Sequence, residues 1–269
     1  MSTQESPAAV AAGVRVTRDD AIAVWTLDRP ERMNALSRAV VRELGRLARE
    51  AAQDRSLRGV ILTGAGGKAF CAGADLKERQ SMSLEDVRDF LGLYRASFGA
   101  IDALPVPVVA AIDGVAFGGG LELALACDFR VMTAGSQVGL TETSLAIIPG
   151  AGGTQRLPRI VGEARAKEMI LLAQRLDAPT ALAYGLATRV AAAGESAVDC
   201  ARALLTPLTA AAPIAIAAAL EAIDAAADVP LEQGLSRERL CYERTLESED
   251  RLEALAAFAE KRRPVYRGR

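Results

Sequence analysis

The 269-residue sequence contains no histidine. Its absence excludes Ser-His-Asp catalysis, imidazole general bases and histidine-bound metals, so acid–base chemistry falls to carboxylates, lysine, tyrosine or cysteine. The four cysteines are widely separated and form no Cys-x-x-Cys pair, so they predict neither a zinc site nor a Cys–His nucleophile. We interpret them as small apolar residues; they are Cys71, Cys127, Cys200 and Cys241.

The sequence also lacks a strong net charge and any long apolar run. The 32 Lys and Arg residues against 34 Asp and Glu residues give a formal net charge of −2, which argues against a protein built mainly to bind polyanions. No apolar run approaches the roughly 18 residues of a membrane span. The first residues resemble neither a secretory signal nor a transit peptide. We therefore expect a cytoplasmic protein that is not associated with a membrane.

Strand and helix patterns alternate through the first two thirds of the sequence. Val14–Arg18 and Ile22–Asp28 are predicted to form a hairpin around Asp19-Asp20, and Ser37 is predicted to cap a helix that ends near Gln53. The order strand, loop, helix then repeats, which predicts an α/β fold with a parallel sheet and crossover helices. The predicted buried strands are Gly59–Thr63, Val108–Ile112 and Phe129–Thr133.

The domain organisation is predicted from the change in pattern along the chain. Residues 1–12 are expected to be a disordered N-terminus, and residues 13–195 an α/β core. From residue 196 to 269 the pattern is helical throughout. Three helical segments are expected there: an alanine-rich one that ends at Asp228, then Leu231–Leu246 and Ser248–Lys261.

Two glycine turns lie where backbone N–H groups would be free to bind an anion. Gly118–Gly120 immediately precedes an apolar helix, whose first N–H groups have no helical partners. A second turn, Gly73-Ala74-Asp75, also leads into a helix, and the two turns could converge on one developing oxyanion. Close packing between a helix and a strand is the alternative reason for these glycines. Neither these turns nor the other glycine-rich segments have the spacing of a P-loop or a dinucleotide-binding motif.

Two glutamates stand in apolar surroundings. Glu122 lies in the apolar helix Leu121–Ala126, and Glu142 precedes the apolar segment 145–149. A carboxylate in such surroundings has a raised pKa unless it is paired, as a general acid near neutral pH requires. Each could alternatively favour a helix N-terminus or pair with an arginine. Together, in a chain without histidine, they predict a two-carboxylate acid–base pair.

Three ordered motifs resemble those of the enoyl-CoA hydratase/isomerase (crotonase) superfamily. They are Phe70-Cys-Ala-Gly-Ala-Asp-Leu-Lys77, Asp113-Gly-Val-Ala-Phe-Gly-Gly-Gly-Leu-Glu122 and Ile148-Pro-Gly-Ala-Gly-Gly-Thr-Gln-Arg-Leu157. The resemblance spans nearly the whole chain. It implies a spiral of repeated ββα units with a C-terminal helical region that supports a homotrimer or a homohexamer made of two trimers.

The resemblance also implies a role for particular residues. The N–H groups of Ala74 and Gly119 would hold the thioester oxygen, Glu122 would activate water and Glu142 would deliver a proton to Cα. No cofactor or metal is implied, because coenzyme A enters as part of the acyl-CoA thioester substrate. The residues implied to contact it are Met33, Ala72, Asp75, Leu76 and Lys77, with Phe258 and Lys261 reaching it from a neighbouring subunit.

Within the superfamily, the motifs look most like those of methylglutaconyl-CoA hydratases. This similarity implies reversible hydration of 3-methylglutaconyl-CoA to 3-hydroxy-3-methylglutaryl-CoA in leucine degradation. The distal carboxylate of that substrate would need a cation. Four residues in or beside the helix that follows the first oxyanion turn are candidates, and the sequence does not choose among them: Lys77, Arg79, Arg88 and Arg95.

Three other functions stay open at this point. General short-chain enoyl-CoA hydratases share most of these motifs, and so do enoyl-CoA isomerases, although isomerisation needs no bound water. A function of a different class is binding of AU-rich RNA. One methylglutaconyl-CoA hydratase binds such RNA, and a basic stripe runs along the first predicted helix of this chain. The acidic net charge and the lack of interleaved aromatic residues argue against nucleic acid. The stripe consists of Arg38, Arg42, Arg46 and Arg49.

Overall fold

The computed structural model describes residues 9–269, which form eleven strands and eleven α-helices. The strands are β1 (Ala9–Ala11), β2 (Val14–Asp19), β3 (Ile22–Leu27), β4 (Gly59–Gly64), β5 (Ala69–Cys71), β6 (Val108–Ile112), β7 (Val115–Phe117), β8 (Phe129–Met132), β9 (Gln137–Gly139), β10 (Leu176–Asp177) and β11 (Arg189–Val190). The helices are α1 (Arg38–Ala51), α2 (Leu76–Arg79), α3 (Leu84–Asp102), α4 (Gly119–Leu125), α5 (Gly153–Val161), α6 (Glu163–Leu171), α7 (Ala178–Ala183), α8 (Ala197–Thr209), α9 (Pro213–Ala225), α10 (Leu231–Leu246) and α11 (Glu249–Glu260).

The strands form two sheets that share the same repeating units. The larger sheet has the order β1-β2-β3-β4-β6-β8-β11 and the smaller one the order β10-β9-β7-β5. Three successive units each give their first strand (β4, β6, β8) to the larger sheet and their second strand (β5, β7, β9) to the smaller one, before a helix follows. Neighbouring strands from different units are parallel. This arrangement confirms the predicted α/β spiral of ββα units.

The hairpin and the first helix follow their predicted patterns. β2 and β3 pair antiparallel from Val14 opposite Leu27 to Asp19 opposite Ile22. The Ser37 side chain accepts a hydrogen bond from the Val40 N–H and caps α1. The apolar side of α1 is buried in the main core against α3, whose own cap is a reciprocal pair between Ser83 and Asp86.

The predicted helical character of residues 196–269 is confirmed, with one more helix than expected. The alanine-rich segment divides into α8 and α9, because Pro213 occupies the first position of α9 and cannot continue the preceding helix. α8 packs its Ala201 and Leu205 side chains on one face of the larger sheet. α10 and α11 leave large apolar side chains exposed, among them Leu231, Leu235, Leu240, Leu252, Leu255 and Phe258.

The predicted disordered N-terminus of residues 1–12 lies largely outside the described residues, since residues 1–8 are not described. The part that the structure does describe differs from the prediction. Ala9–Ala11 forms strand β1, which pairs antiparallel with the first residues of β2. Residues 9–11 are ordered because their backbone forms hydrogen bonds with the edge of the sheet, and the sequence pattern alone does not show these bonds.

Within residues 9–269, no single helix is both long enough and apolar enough to cross a membrane. Only α8 and α9 taken together reach that length and hydropathy, and they are bent by 115° where they meet.

Candidate active site

The first turn of α4 lies directly against the smaller sheet. Gly118 precedes the helix with a φ of 51° and a ψ of −126°, in the region of positive φ that side chains disfavour. A Cβ atom on Gly120 would lie 2.1 Å from the carbonyl oxygen of Cys71, so only glycine permits this approach of the helix to β5. Close packing, one of the two explanations considered for these glycines, therefore applies to this turn.

The loop that carries Ala74 is fixed by backbone hydrogen bonds. The Leu36 N–H donates to the Gly73 carbonyl at 2.8 Å, and the Asp75 N–H donates to the Leu36 carbonyl at 3.0 Å. These bonds hold the Ala74 peptide beside Leu36 as an isolated parallel bridge. The Ala74 N–H itself donates to no group in the part of the chain that the structure describes.

The two predicted oxyanion donors are brought together. A Cβ atom placed on Gly119 would lie 3.8 Å from the Ala74 nitrogen, so the two peptides border one small space. The Gly119 N–H, at the first position of α4, has no acceptor among residues 9–269. The helix dipole adds positive potential at this point. Two free N–H groups that lie close together can bind a developing negative charge on oxygen.

Glu122 lies one turn into α4 and is only 3% exposed. The N–H groups of Ala151 and Gly153 donate to its Oε1 at 2.7 and 2.8 Å. Burial raises the pKa of Glu122, whereas these two hydrogen bonds and the charge of Arg156 act in the opposite direction. The backbone donors fix the carboxylate and stabilise its ionised form, while Oε2 stays available for another partner.

Glu142 begins a short 3-10 helix, Glu142–Leu145, after β9. Its carboxyl group lies beside the start of α4, because a Cβ atom on Gly118 would be 3.2 Å from its Oε1. Its Oε2 is buried and has no hydrogen-bond partner among the described residues. Burial, with a contribution from the Glu122 charge, raises the pKa of Glu142 to about 7. This carboxyl group is therefore partly protonated near neutral pH.

Both glutamates lie at the first turn of α4: Glu122 is part of that turn, and the Glu142 carboxyl group lies beside Gly118, which precedes it. Neither forms an ion pair with a side chain in the described range, which removes the arginine-pair alternative for both. The two acids also differ in environment: backbone N–H groups bind Glu122, whereas no group among residues 9–269 binds the buried oxygen of Glu142. Such a difference sets one group up as a base and the other as an acid.

The residues predicted to contact coenzyme A divide into two places. Met33 and Ala72 are neighbours, because the Ala72 N–H donates to the Met33 carbonyl at 3.0 Å. Asp75 caps α2 and forms an ion pair with Arg29 at 2.9 Å, and despite burial these bonds lower its pKa. Leu76 and Lys77 are exposed on α2 close to the same loop. Phe258, which is 86% exposed, and Lys261 lie at the end of α11, so their contact through a neighbouring subunit stays a prediction.

Sequence reasoning missed four residues that contribute to the site. Arg29 forms an ion pair with Asp75, and the Ala151 and Gly153 N–H groups hold Glu122. The fourth is Tyr94, whose hydroxyl lies near Gly119. Aromatic residues recur at every fourth position of α3, and this spacing is the sequence signal that indicates Tyr94.

Within residues 9–269 no group of three or more cysteine, aspartate or glutamate side chains has the arrangement of a metal site.

Comparisons with known proteins agree with this fold. The profile of the enoyl-CoA hydratase/isomerase family matches residues 17–269. The chain is 46% identical over 251 residues to the enoyl-CoA isomerase/hydratase fer4 of Mycosarcoma maydis, which covers 90% of this chain and 91% of that protein. It is 45% identical over 254 residues to the human mitochondrial methylglutaconyl-CoA hydratase, which covers 92% of this chain and 74% of that protein.

A solved structure of an enoyl-CoA hydratase has the same fold. The crystal structure of an enoyl-CoA hydratase from Bacillus anthracis superposes with a TM-score of 0.92 at 44% identity and covers 96% of this chain and all of that one. Fold and site together define an enzyme of acyl-CoA chemistry with a crotonase fold. The chain belongs to the enoyl-CoA hydratase/isomerase family, and it is an enzyme of the enoyl-CoA hydratase type.

Proposed function

We propose that this protein adds water to the C2=C3 bond of an enoyl-CoA, or removes it, with Glu122 and Glu142 as its acid–base pair. One observation carries the proposal: two buried carboxyl groups of different environment flank a helix start whose N–H group, with that of Ala74, is free. In the direction of hydration, the proton and the hydroxide of one water molecule add to C2 and C3. No other reactant is consumed.

Glu122 acts as the general base in this proposal. Its ionised form accepts a proton from water as the water oxygen bonds to C3. The Ala151 and Gly153 N–H groups occupy Oε1, which leaves Oε2 for the water molecule. The electron pair of the double bond moves towards the thioester, and an enolate forms.

The Ala74 and Gly119 N–H groups bind the enolate oxygen. Donors that are fixed before the reaction need no reorganisation as the charge develops, and each contributes a few kcal/mol to stabilisation of the transition state. Glu142 then transfers its proton to C2, which completes the addition. Glu122 holds one proton and Glu142 has lost one at this stage, so a proton exchange with solvent restores the starting state.

The pH dependence of hydration follows from the proton that Glu142 must carry. Because the pKa of Glu142 is raised to about 7, we expect kcat/KM to fall as pH rises through that value. The fall is about tenfold per pH unit once the group is ionised. Steady-state rates with crotonyl-CoA between about pH 6 and 9 measure this fall in kcat/KM. A rate that stays level across this range would contradict the role of Glu142 as an acid.

We further propose that the substrate is 3-methylglutaconyl-CoA and that Arg79 binds its distal carboxylate. Lys77, Arg88 and Arg95 are exposed, whereas Arg79 is half-buried. Arg79 forms no ion pair in the described part of the chain, and its charge acts on the Tyr94 hydroxyl beside Gly119. A half-buried guanidinium without a carboxylate partner is suited to an anionic acyl chain. The 45% identity to the human methylglutaconyl-CoA hydratase supports the same substrate.

Replacing Arg79 by methionine tests this substrate assignment. We expect kcat/KM for 3-methylglutaconyl-CoA to fall by about 10- to 100-fold, the value of one hydrogen bond to a charged group. Crotonyl-CoA has no distal carboxylate, so its kcat/KM should not change. Arg88→Met, on the exposed side of α3, is the matched control. An equal loss with both substrates would reject Arg79 as the carboxylate ligand. If the wild-type protein prefers crotonyl-CoA, the assignment of 3-methylglutaconyl-CoA as its substrate is wrong.

Isomerisation is the second candidate reaction, because the similar fer4 protein is named an isomerase/hydratase. The two unpaired carboxyl groups favour hydration, since moving a double bond requires proton transfers but no water molecule. The AU-rich RNA-binding alternative gains no support from α1. Arg38 pairs with Glu78 and Asp86, and Arg46 pairs with Glu43 and Glu50, so half of the basic stripe is already neutralised.

Self-association into trimers is part of the proposal. The apolar side chains exposed on α10 and α11, Phe258 among them, are of the kind that subunit interfaces bury. The choice between a trimer and a hexamer, the compartment and the coenzyme A contacts stay predictions.

A further inference from the structure

An aromatic column on α3 directs one hydroxyl group towards the active site. Phe90, Tyr94 and Phe98 recur at every fourth residue and therefore share one face of the helix. The Phe90 and Tyr94 rings stack with centroids 4.4 Å apart, and Phe98 meets Tyr94 edge-on at 5.3 Å. All three rings are buried in the main core. The ring of Tyr94 is thus held from both sides, and its hydroxyl has a fixed position.

The Tyr94 hydroxyl borders the same space as the two free N–H groups. A Cβ atom placed on Gly119 would lie 3.8 Å from the Tyr94 oxygen, and it would lie 3.8 Å from the Ala74 nitrogen as well. The Leu36 Cδ1 atom is the nearest neighbour of that position, at 3.4 Å. The Tyr94 hydroxyl therefore lies close to both Gly119 and the Ala74 nitrogen.

The Tyr94 hydroxyl has no hydrogen-bond partner in the part of the chain that the structure describes, although the residue is only 3% exposed. A buried hydroxyl without a partner destabilises the folded state, and phenylalanine would fill the same volume without this cost. The aromatic column itself does not require the oxygen, because its other two members are phenylalanines. A bound molecule is the partner that would satisfy this hydroxyl.

We infer that the Tyr94 hydroxyl is a third hydrogen-bond donor to the thioester oxygen, beside the N–H groups of Ala74 and Gly119. It is then a catalytic residue, because it touches the oxygen on which the enolate charge develops. The inference rests on the proposed hydration reaction. No bond of the tyrosine breaks in this role: the proton stays on the phenol oxygen and the hydrogen bond strengthens as the enolate forms.

The environment of Tyr94 keeps that proton in place. Burial raises the pKa of Tyr94 well above its ordinary value, and the nearby Cys71 and Glu122 act in the same direction, against Arg79. The hydroxyl is therefore a donor throughout the pH range in which the enzyme works. Hydrogen bonds to an anionic oxygen are stronger than those to a neutral one, so this donor favours the transition state over the bound substrate.

Tyr94→Phe removes the hydroxyl and keeps the ring. We expect kcat to fall about tenfold with crotonyl-CoA and by the same factor with 3-methylglutaconyl-CoA, because the thioester oxygen is common to both. KM should change little. The infrared carbonyl stretch of a bound, slowly reacting enoyl thioester should move towards its value in water, since one polarising donor is lost. The melting temperature should be equal or higher, because an unpartnered buried hydroxyl is gone.

Tyr184→Phe is the matched control, since the Tyr184 ring contacts Arg165 and no predicted site residue is involved in that contact; this variant should keep full activity. Unchanged kcat and an unchanged carbonyl stretch in Tyr94→Phe would overturn the inference and leave the proposed hydration intact. A loss confined to 3-methylglutaconyl-CoA would also overturn it, because the hydroxyl would then contact the acyl chain. A wild-type protein that hydrates neither thioester would overturn the proposed function, and this inference with it.

Discussion

Glu142→Gln is expected to lower kcat for hydration by a factor of about 10² or more. The amide that replaces the carboxyl group has nearly the same shape but no proton to transfer to C2. The high-pH limb of the activity profile should disappear with the activity, because the group that titrates at about 7 is gone. Stopped-time assays of crotonyl-CoA hydration, with the product quantified by chromatography, measure the loss.

The stability of Glu142→Gln separates catalysis from folding. Burial disfavours the charged carboxylate, so the folded state holds its proton more tightly than the unfolded state does. The free energy of unfolding of the wild type should accordingly decrease as pH rises from about 4.5 to about 7. The neutral amide escapes this decrease, and the variant should be at least as stable as the wild type at pH values above about 7. Glu168→Gln, on an exposed part of α6, is the control. A Glu142→Gln enzyme with a near-normal rate would contradict the assigned role.

Glu122→Gln is expected to cause a loss of similar size, about 10² or more, for a different reason. The variant keeps an oxygen that can accept hydrogen bonds from the Ala151 and Gly153 N–H groups, so the local structure should persist. It lacks the negative charge that draws a proton from water. We expect normal thioester binding, measured by titration with a non-reacting acyl-CoA, together with the reduced hydration rate.

The combination of the two variants gives a sharper result than either alone. Residues that act as one unit are not additive, so the double variant should be little slower than the slower single variant. Losses that multiply fully would indicate that the two glutamates act independently. Weak thioester binding in Glu122→Gln would instead assign that residue to structure, since its two backbone partners would then have lost their anchor.

The larger elements of the fold could be predicted because their sequence patterns are local. The β2–β3 hairpin follows from alternation around Asp19-Asp20, and the caps at Ser37 and Ser83 define where α1 and α3 begin. The smaller sheet could not be predicted in the same way. Its strands β5, β7 and β9 have three residues each, which is too short for a recognisable alternation of apolar and polar residues. They form because the strands of neighbouring units supply hydrogen-bond partners for their backbones.

The position of a site residue could be predicted where it follows from the helical period and from the chemistry of the side chain. Glu122 lies three residues after Gly119, so its side of the helix is fixed by the helical period. The contact of Glu122 with Ala151 and Gly153 joins groups about thirty residues apart in the chain, and only the tertiary structure reveals it. The unpartnered hydroxyl of Tyr94 is likewise a property of packing, since no residue type alone shows whether its polar atom has a partner.

Labelled water tests the central claim most directly. The wild-type enzyme is incubated with crotonyl-CoA or 3-methylglutaconyl-CoA in oxygen-18 water, and the acyl product is analysed by mass spectrometry. If two glutamates add water across the C2=C3 bond of a thioester held by Ala74 and Gly119, the product is a 3-hydroxyacyl-CoA with one oxygen-18 atom on C3. A product with a displaced double bond and no label from water would contradict this account.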